Sequence, residues 1–249
     1  MKLRSILAAV AAAGFLATAG SASAIITITS TADALDAVAN GAALPSNGAY
    51  TMIDNFGDGG GSQNPVGGFT FSPQVFDQDG GVGGYIRNGA GPPQLLGGES
   101  APPPVGGVYE TGNYYTVTAN GGPHIATLTV ASGYLTHFSF YLGSPDTYNS
   151  LSFYDAAGLV ARYDGNAIWA CPSCGQTGDQ TYGARAYYNF GGAHITSVVF
   201  GATGNSFEFD NLAGVRGGIP EPTTWGLMIM GFGGIGALLR RRRQVTAFA

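Results

Sequence analysis

Leu135-Thr136-His137-Phe138-Ser139-Phe140-Tyr141-Leu142 decides the fold class of this chain. In an extended strand successive side chains point to opposite faces, so Phe138, Phe140 and Leu142 share one face and His137, Ser139 and Tyr141 share the other. A strict apolar alternation of this kind predicts a strand with one face on a core. Near the C-terminal end Ser206-Phe207-Glu208-Phe209-Asp210 repeats the pattern, with Phe207 and Phe209 inward and Glu208 and Asp210 outward.

Short runs of the same character recur on both sides: Tyr50 to Phe56, Phe69 to Phe71, Tyr114 to Thr118, His124 to Val130, Leu151 to Tyr154, Leu159 to Tyr163, Ala184 to Phe190 and Ile195 to Phe200. Turn residues separate them, and the chain holds 42 glycines, 13 tyrosines and 14 phenylalanines. This predicts an all-β domain, a β-sandwich or jelly roll. One short helix is expected, with Ser30 and Asp33 as a capping-box-like start, Leu35 and Val38 as its apolar stripe and Asn40-Gly41 as its stop. Between Gly80 and Gly107, 15 of 28 residues are glycine or proline, a density that disfavours regular structure and predicts a long mobile surface loop or an insertion at a sandwich edge. No fixed-period repeat is present, which argues against a solenoid or propeller.

The two ends read differently from the middle. Lys2 and Arg4, the apolar run Ile6 to Ala19 and Ala22-Ser23-Ala24 form a signal-peptide pattern over residues 1–24, so the mature chain is expected to begin near Ile25. At the other end, Pro220-Glu221-Pro222 and Trp225 precede an uncharged stretch, and Arg240-Arg241-Arg242-Arg243 follow it. Residues 223–239 as a helix would span roughly 26 Å, a marginal single crossing that snorkelling arginines can extend. The positive-inside bias puts the arginines in the cytoplasm and residues 25–217 across the membrane. Gly231, Gly233 and Gly236 satisfy G-x-G-x-x-G, but no strand precedes them and no acidic residue can follow at the spacing a dinucleotide needs. Close helix packing in lipid explains them better.

The order Pro220-Glu221-Pro222, Trp225, glycine-rich apolar segment and terminal arginine cluster resembles the PEP-CTERM sorting signal in its PEPxxWA variant, with Gly226 where alanine is usual. The resemblance covers about 25 of the 249 residues, and the sorting segment is placed at residues 218–249. It implies export by a Gram-negative bacterium, transient anchoring in the inner membrane, cleavage near the Pro-Glu-Pro by an exosortase, and delivery to the cell surface or an exopolysaccharide-rich matrix such as a biofilm. Gly143 to Asn149 followed by Leu151 to Tyr154, together with Ser206 to Leu212, are similar to exported sandwich domains that precede such tails.

With both ends set aside, the balance changes. Residues 25–219 keep Arg87, Arg162, Arg185 and Arg216 and every acid of the chain's 15 except Glu221. So acidic a body should be repelled by nucleic acid and should attract cations. Calcium is accordingly the candidate cofactor. Asp54, Asp58, Asp77, Asp79 and Asp210 lie near turns or strand ends, and the pair Asp54 and Asp210 joins the first and last strands. Asp77-Gln78-Asp79-Gly80 is only a fragment of an EF-hand loop, with Asn88 at its twelfth position, and the turn context favours Asx-turn formers and solvated acids.

In an oxidising compartment Cys171 and Cys174 favour a small disulfide. A redox pair needs a following helix, which Gly175 to Gly178 do not promise, and a zinc site needs a second ligand pair. For chemistry, Glu208 and Asp210 stand two apart on one strand face, a spacing that a glycoside hydrolase could use. No G-x-S-x-G or H-E-x-x-H occurs, and His124, His137 and His194 fall on different predicted strands. Tyr141, Tyr148, Trp169, Tyr187 and Tyr188 are candidate aromatics for stacking on sugar faces. The leading expectation is a noncatalytic exported surface or matrix protein. A carbohydrate-binding module is the alternative, and a secreted polysaccharide hydrolase stands third.

Overall fold

The computed structural model of the chain describes residues 25–31, 50–57, 65–73, 83–88, 102–105, 108–109, 112–118, 124–143, 145–170, 182–218 and 226–234. The alternating stretch Leu135 to Leu142 forms the middle of β9 (Tyr134–Gly143), the longest strand but one. It lies inside a seven-stranded sheet that runs β1 (Thr27–Thr31), β12 (Gly183–Asn189), β9, β14 (Phe207–Gly217), β7 (Asn113–Thr118) and β4 (Gly83–Asn88), with β2 (Thr51–Asp54) also on β14. A five-stranded sheet runs β11 (Gly158–Asp164), β10 (Asn149–Asp155), β13 (Ser197–Ala202), β8 (His124–Val130) and β3 (Phe69–Ser72). β5 (Pro104–Val105) and β6 (Val108–Tyr109) form a separate small hairpin. Every ladder is antiparallel, so the all-β sandwich expected from the alternation is the fold.

The alternation also assigns the inner faces correctly. Phe138, Phe140 and Leu142 are fully buried in one apolar cluster with Leu151, Phe153, Val198 and Phe200 of the opposite sheet. Phe200 and Phe209 stack across the interface with ring centroids 4.1 Å apart, and Phe140 meets Phe200 edge-on at 5.5 Å. Each such ring contributes about 1.5 to 3 kcal/mol by leaving water, so Phe140→Ala would remove a large part of the domain's marginal stability.

Two expectations are corrected. Ser30 does not cap a helix: it lies in β1 opposite Ala186, and its hydroxyl donates to the main-chain oxygen of Trp169. Thr27-Ile28-Thr29 alternates as well as any predicted strand, and the free edge of β12 supplies the ladder that a capping box cannot. The remainder of that segment, with Asp33, Leu35 and Val38, lies outside the described residues. The Gly80 to Gly107 stretch is not wholly irregular either, because Gly83–Asn88 pairs with β7 as an edge strand and Pro104–Val105 pairs with β6. Edge positions tolerate glycine, since only one side of the ladder must be satisfied.

The register fixes two distinct ends. The start of β1, the end of β12, the start of β9 and the end of β14 meet at one end, with Thr27 opposite Asn189, Asn189 opposite His137 and Gly217 opposite Tyr134. This end, the base, also holds the turns at 131–133, 155–158 and 190–196. The other end, the tip, holds the turns after β9 and β13. A short helix occupies residues 226–234, and among the described residues no helix is long and apolar enough to cross a membrane.

Candidate ligand-binding face

The outward side of the seven-stranded sheet is polar but not wet. Thr31, Arg185, Tyr141 and Asp210 form one rung across β1, β12, β9 and β14. Arg185, Tyr141, Thr116, Ser139 and Asp210 are all buried. Arg185 reaches over β9, and its Nη2 donates to the main-chain oxygen of Asn211 at 2.8 Å. That oxygen is available because β14 is bulged: its register shifts between Asp210 and Ala213, and Asn211 takes a left-handed φ of 53°. The bulge is also where β14 changes partner, from β7 at Phe207 to Phe209 to β2 at Leu212 to Gly214.

Around this bulge, the Ser139 hydroxyl, the Thr116 hydroxyl and the Asn211 side-chain amide are buried with no hydrogen-bond partner among the described residues. Buried polar groups are nearly always satisfied, so such a cluster is where water or a ligand would be held. Tyr50 packs edge-on to Tyr187 at 5.9 Å and to His137 at 6.1 Å. Burial raises its phenol pKa, and the positive charge of Arg185 opposes that rise. Tyr141 donates to the main-chain oxygen of Pro104, which seats the β5 segment on this face. Gly183 stands where a Cβ would strike that oxygen and the Tyr141 hydroxyl.

A second cluster lies at the tip. Tyr148 donates to Asp146 Oδ2 at 2.7 Å and to the main-chain oxygen of Asn205, while Asn149 Nδ2 donates to the main-chain oxygen of Ser206 at 3.2 Å. The Ser206 hydroxyl donates to Glu208 Oε1. Burial raises the pKa of Asp146, and the Tyr148 hydrogen bond counters it. The Tyr148 phenol is held well above its ordinary value by burial first, then by its bond to Asp146 and by the charges of Asp146 and Glu208.

Several candidate residues are displaced from their expected roles. Tyr141, Trp169 and Tyr188 are buried, with Trp169 at 1% exposure, so their rings cannot serve as exposed sugar platforms. Tyr188 is spent on the core, where its hydroxyl donates to the main-chain oxygen of Ile168. Tyr148 and Tyr187 stay half-buried. Asp54 lies opposite Leu212, two residues from Asp210, so the fold does bring the proposed calcium pair to one bulge. Asp54 Oδ1 accepts from the Phe56 amide at 2.8 Å, an Asx turn, and Asp210 Oδ1 accepts from the Asn211 amide at 2.6 Å. No group of three or more acids, histidines or cysteines able to hold a metal occurs among the described residues.

Glu208 and Asp210 share a face but not an environment, since Glu208 is half-buried and Asp210 fully buried. His124 and His137 lie in different sheets, and His194 stacks on Tyr134 at the base with centroids 3.7 Å apart. Asp58, Asp77, Asp79, Cys171, Cys174, Pro220, Glu221, Pro222, Trp225 and Arg240 to Arg243 lie outside the described residues. The Arg185–Asn211 contact was not visible in sequence. Its only sequence signal was an isolated arginine on the outward face of an alternating run in an arginine-poor body.

At the end of β14 the chain leaves the sandwich through Gly217 and Gly218 and enters the segment that ends in four arginines. The family model described as the PEP-CTERM protein-sorting motif matches residues 218–243. The C-terminus carries a PEP-CTERM sorting motif. Such a motif implies export, anchoring in a membrane before processing, and processing by an exosortase. No curated protein matches the chain. Among solved structures, the enzymatically active domain of tailspike protein 4 of bacteriophage CBA120 is similar at 18% identity, with a TM-score of 0.32, over 66% of this chain. The chain covers 21% of that structure's length, and a likeness at this level carries no argument about activity.

Proposed function

We propose that residues 25–217 are a noncatalytic surface or extracellular-matrix domain of a Gram-negative bacterium, delivered by the PEP-CTERM handle and cut from it by an exosortase. The observation that carries this reading is the sorting-motif match at residues 218–243, which begins one residue after the last strand. Residues 1–24 act as the signal peptide, and residues 223–239 with the arginine cluster act as a temporary membrane stop. In the oxidising compartment Cys171 and Cys174 close a small disulfide. Intact mass of the extracellular product tests the reading. Loss of everything after about Pro222, only in cells that hold the exosortase, supports it; a product retaining Arg240 to Arg243 overturns it.

A second reading is favoured by the tip cluster. Tyr148 is half-buried beside Asp146 and Glu208, a pairing of aromatic face and carboxylate that suits sugar hydroxyls, with calcium held near Asp54 and Asp210 if it is needed. A glycan array in millimolar calcium would show binding that Tyr148→Ala abolishes, and an empty array removes this reading.

A further inference from the structure

The base of the sandwich differs in charge from the rest of the domain. Among the described residues at this end the one carboxylate is Asp155, and its Oδ1 is occupied by the amides of Ala157 at 2.8 Å and Gly158 at 3.0 Å. Apart from Asn189 and His194, the exposed side chains are small or apolar, among them Ile25, Val66, Ala131, Ser132, Ala156 and Ala157. One exposed cation stands among them. Arg216 donates to Gly67 O at 3.4 Å and to the hydroxyl of Ser132 at 2.7 Å, lies 5.2 Å from the centre of the Phe69 ring, and with Ser132, Gly133 and Gly218 lines an open cleft of about 230 Å³.

The tail leaves from this same end. Gly217 is the last residue of β14, and the helix at 226–234 begins eight residues after Gly218, a tether of at most roughly 28 Å when fully extended. That helix exposes Leu227, Met228, Ile229, Met230 and Phe232, with Phe232 at 70%. An apolar segment so displayed needs lipid or protein around it, and its tether allows no other end of the domain to approach as closely. Ile25, the first residue after the signal-peptide pattern, is at this end too, against Gly191.

We propose that in the form still carrying its tail the base is a membrane-docking surface, resting on the headgroup layer with Arg216 at phospholipid phosphates and the tip turned outward. The proposal rests on the reading of residues 218–249 as a membrane handle. Its physics is the low local density of negative charge, with Asp155 as the one carboxylate among the described residues at this end: an acid-rich face would be repelled by an anionic leaflet, while this one offers a guanidinium and mostly small side chains. The outward tip is then the end that presents Tyr148, Asp146 and Glu208 to partners.

The test uses the full chain without its signal peptide, reconstituted into vesicles of phosphatidylethanolamine and phosphatidylglycerol, with flotation and amide hydrogen exchange as readouts. The chain is expected to float, and the amides of Ser132, Ala156 and Gly192 to exchange at least about tenfold more slowly than in a chain ending at Gly218, while Thr147 and Gly204 at the tip are unchanged. The double variant Ala131→Glu with Ala156→Glu, at exposed positions, should still float and keep its melting temperature but lose that protection. Flotation with unchanged exchange at the base, or protection that appears at the tip, overturns the docking surface alone. Failure to float overturns the handle reading and the docking surface with it.

Discussion

Arg185 and Asn211 are joined across an intervening strand: the guanidinium of β12 passes over β9 and donates at 2.8 Å to the main-chain oxygen exposed by the bulge of β14. The contact ties three strands together on a buried face. Arg185→Met should therefore lower unfolding free energy by about 2 to 4 kcal/mol, the range for removing one member of a buried charged hydrogen bond. Arg185→Lys should recover only part of this, because an ammonium lacks the planar fork. Urea denaturation of the two variants measures both effects.

Phe209 makes β14 indispensable to the core. The strand lies between β9 on one side and β7 and β2 on the other, and Phe209 is fully buried against Phe200 and Tyr115. Phe209→Ala is expected to cost about 3 to 5 kcal/mol. A chain ending at Gly218 should melt at the same temperature as the full chain, whereas one ending at Ser206 should not fold. Thermal unfolding followed by circular dichroism separates the three.

Alkaline stability follows from buried phenols. Tyr115, Tyr148 and Tyr188 are each held above the ordinary phenol value of 10.0, in every case with burial as the largest cause. Above pH 10 the unfolded chain releases these protons and the native chain keeps them, so the native state binds more protons and stability falls as pH rises. Their contribution is fully present below pH 10 and is lost above it. Spectrophotometric titration should show late, cooperative ionisation that coincides with unfolding, and Tyr148→Phe should make the loss of stability less steep.

Tyr148→Phe also separates a structural from a binding role at the tip. The variant keeps the ring and removes the hydroxyl that bonds Asp146 and Asn205. A loss of about 1 to 2 kcal/mol with glycan binding retained would assign the hydroxyl to loop lacing and the ring to recognition. Equal loss of both, measured by denaturation and by titration with the glycan, would leave no independent recognition role for the ring.

The strands were legible where a side chain alternates against a single core. His124 to Val130 was bounded to the residue, and Leu135 to Leu142 grew by one at each end. β1 was misread because Ser30 and Asp33 also satisfy a capping pattern, and local pattern cannot see that β12 offers an unpaired edge. β4 was missed because glycine suppresses strand propensity locally, although β7 accepts it through main-chain hydrogen bonds. The sites were less legible. Tyr141 and Trp169 were taken as exposed platforms, but the outward strand face that holds Tyr141 is covered, and Trp169, in the turn that follows β11, packs into the core.

By itself the sequence determined the fold class, through period-two alternation, and the address, through a tail whose order of proline, tryptophan, apolar run and arginines is local and linear. Only the tertiary structure decided which polar residues meet. Arg185 and Asn211 are 26 positions apart, and Tyr148 and Asn205 are 57 apart. Such meetings depend on strand order, bulge position and the covering of a face, which are long-range packing outcomes that no local period encodes.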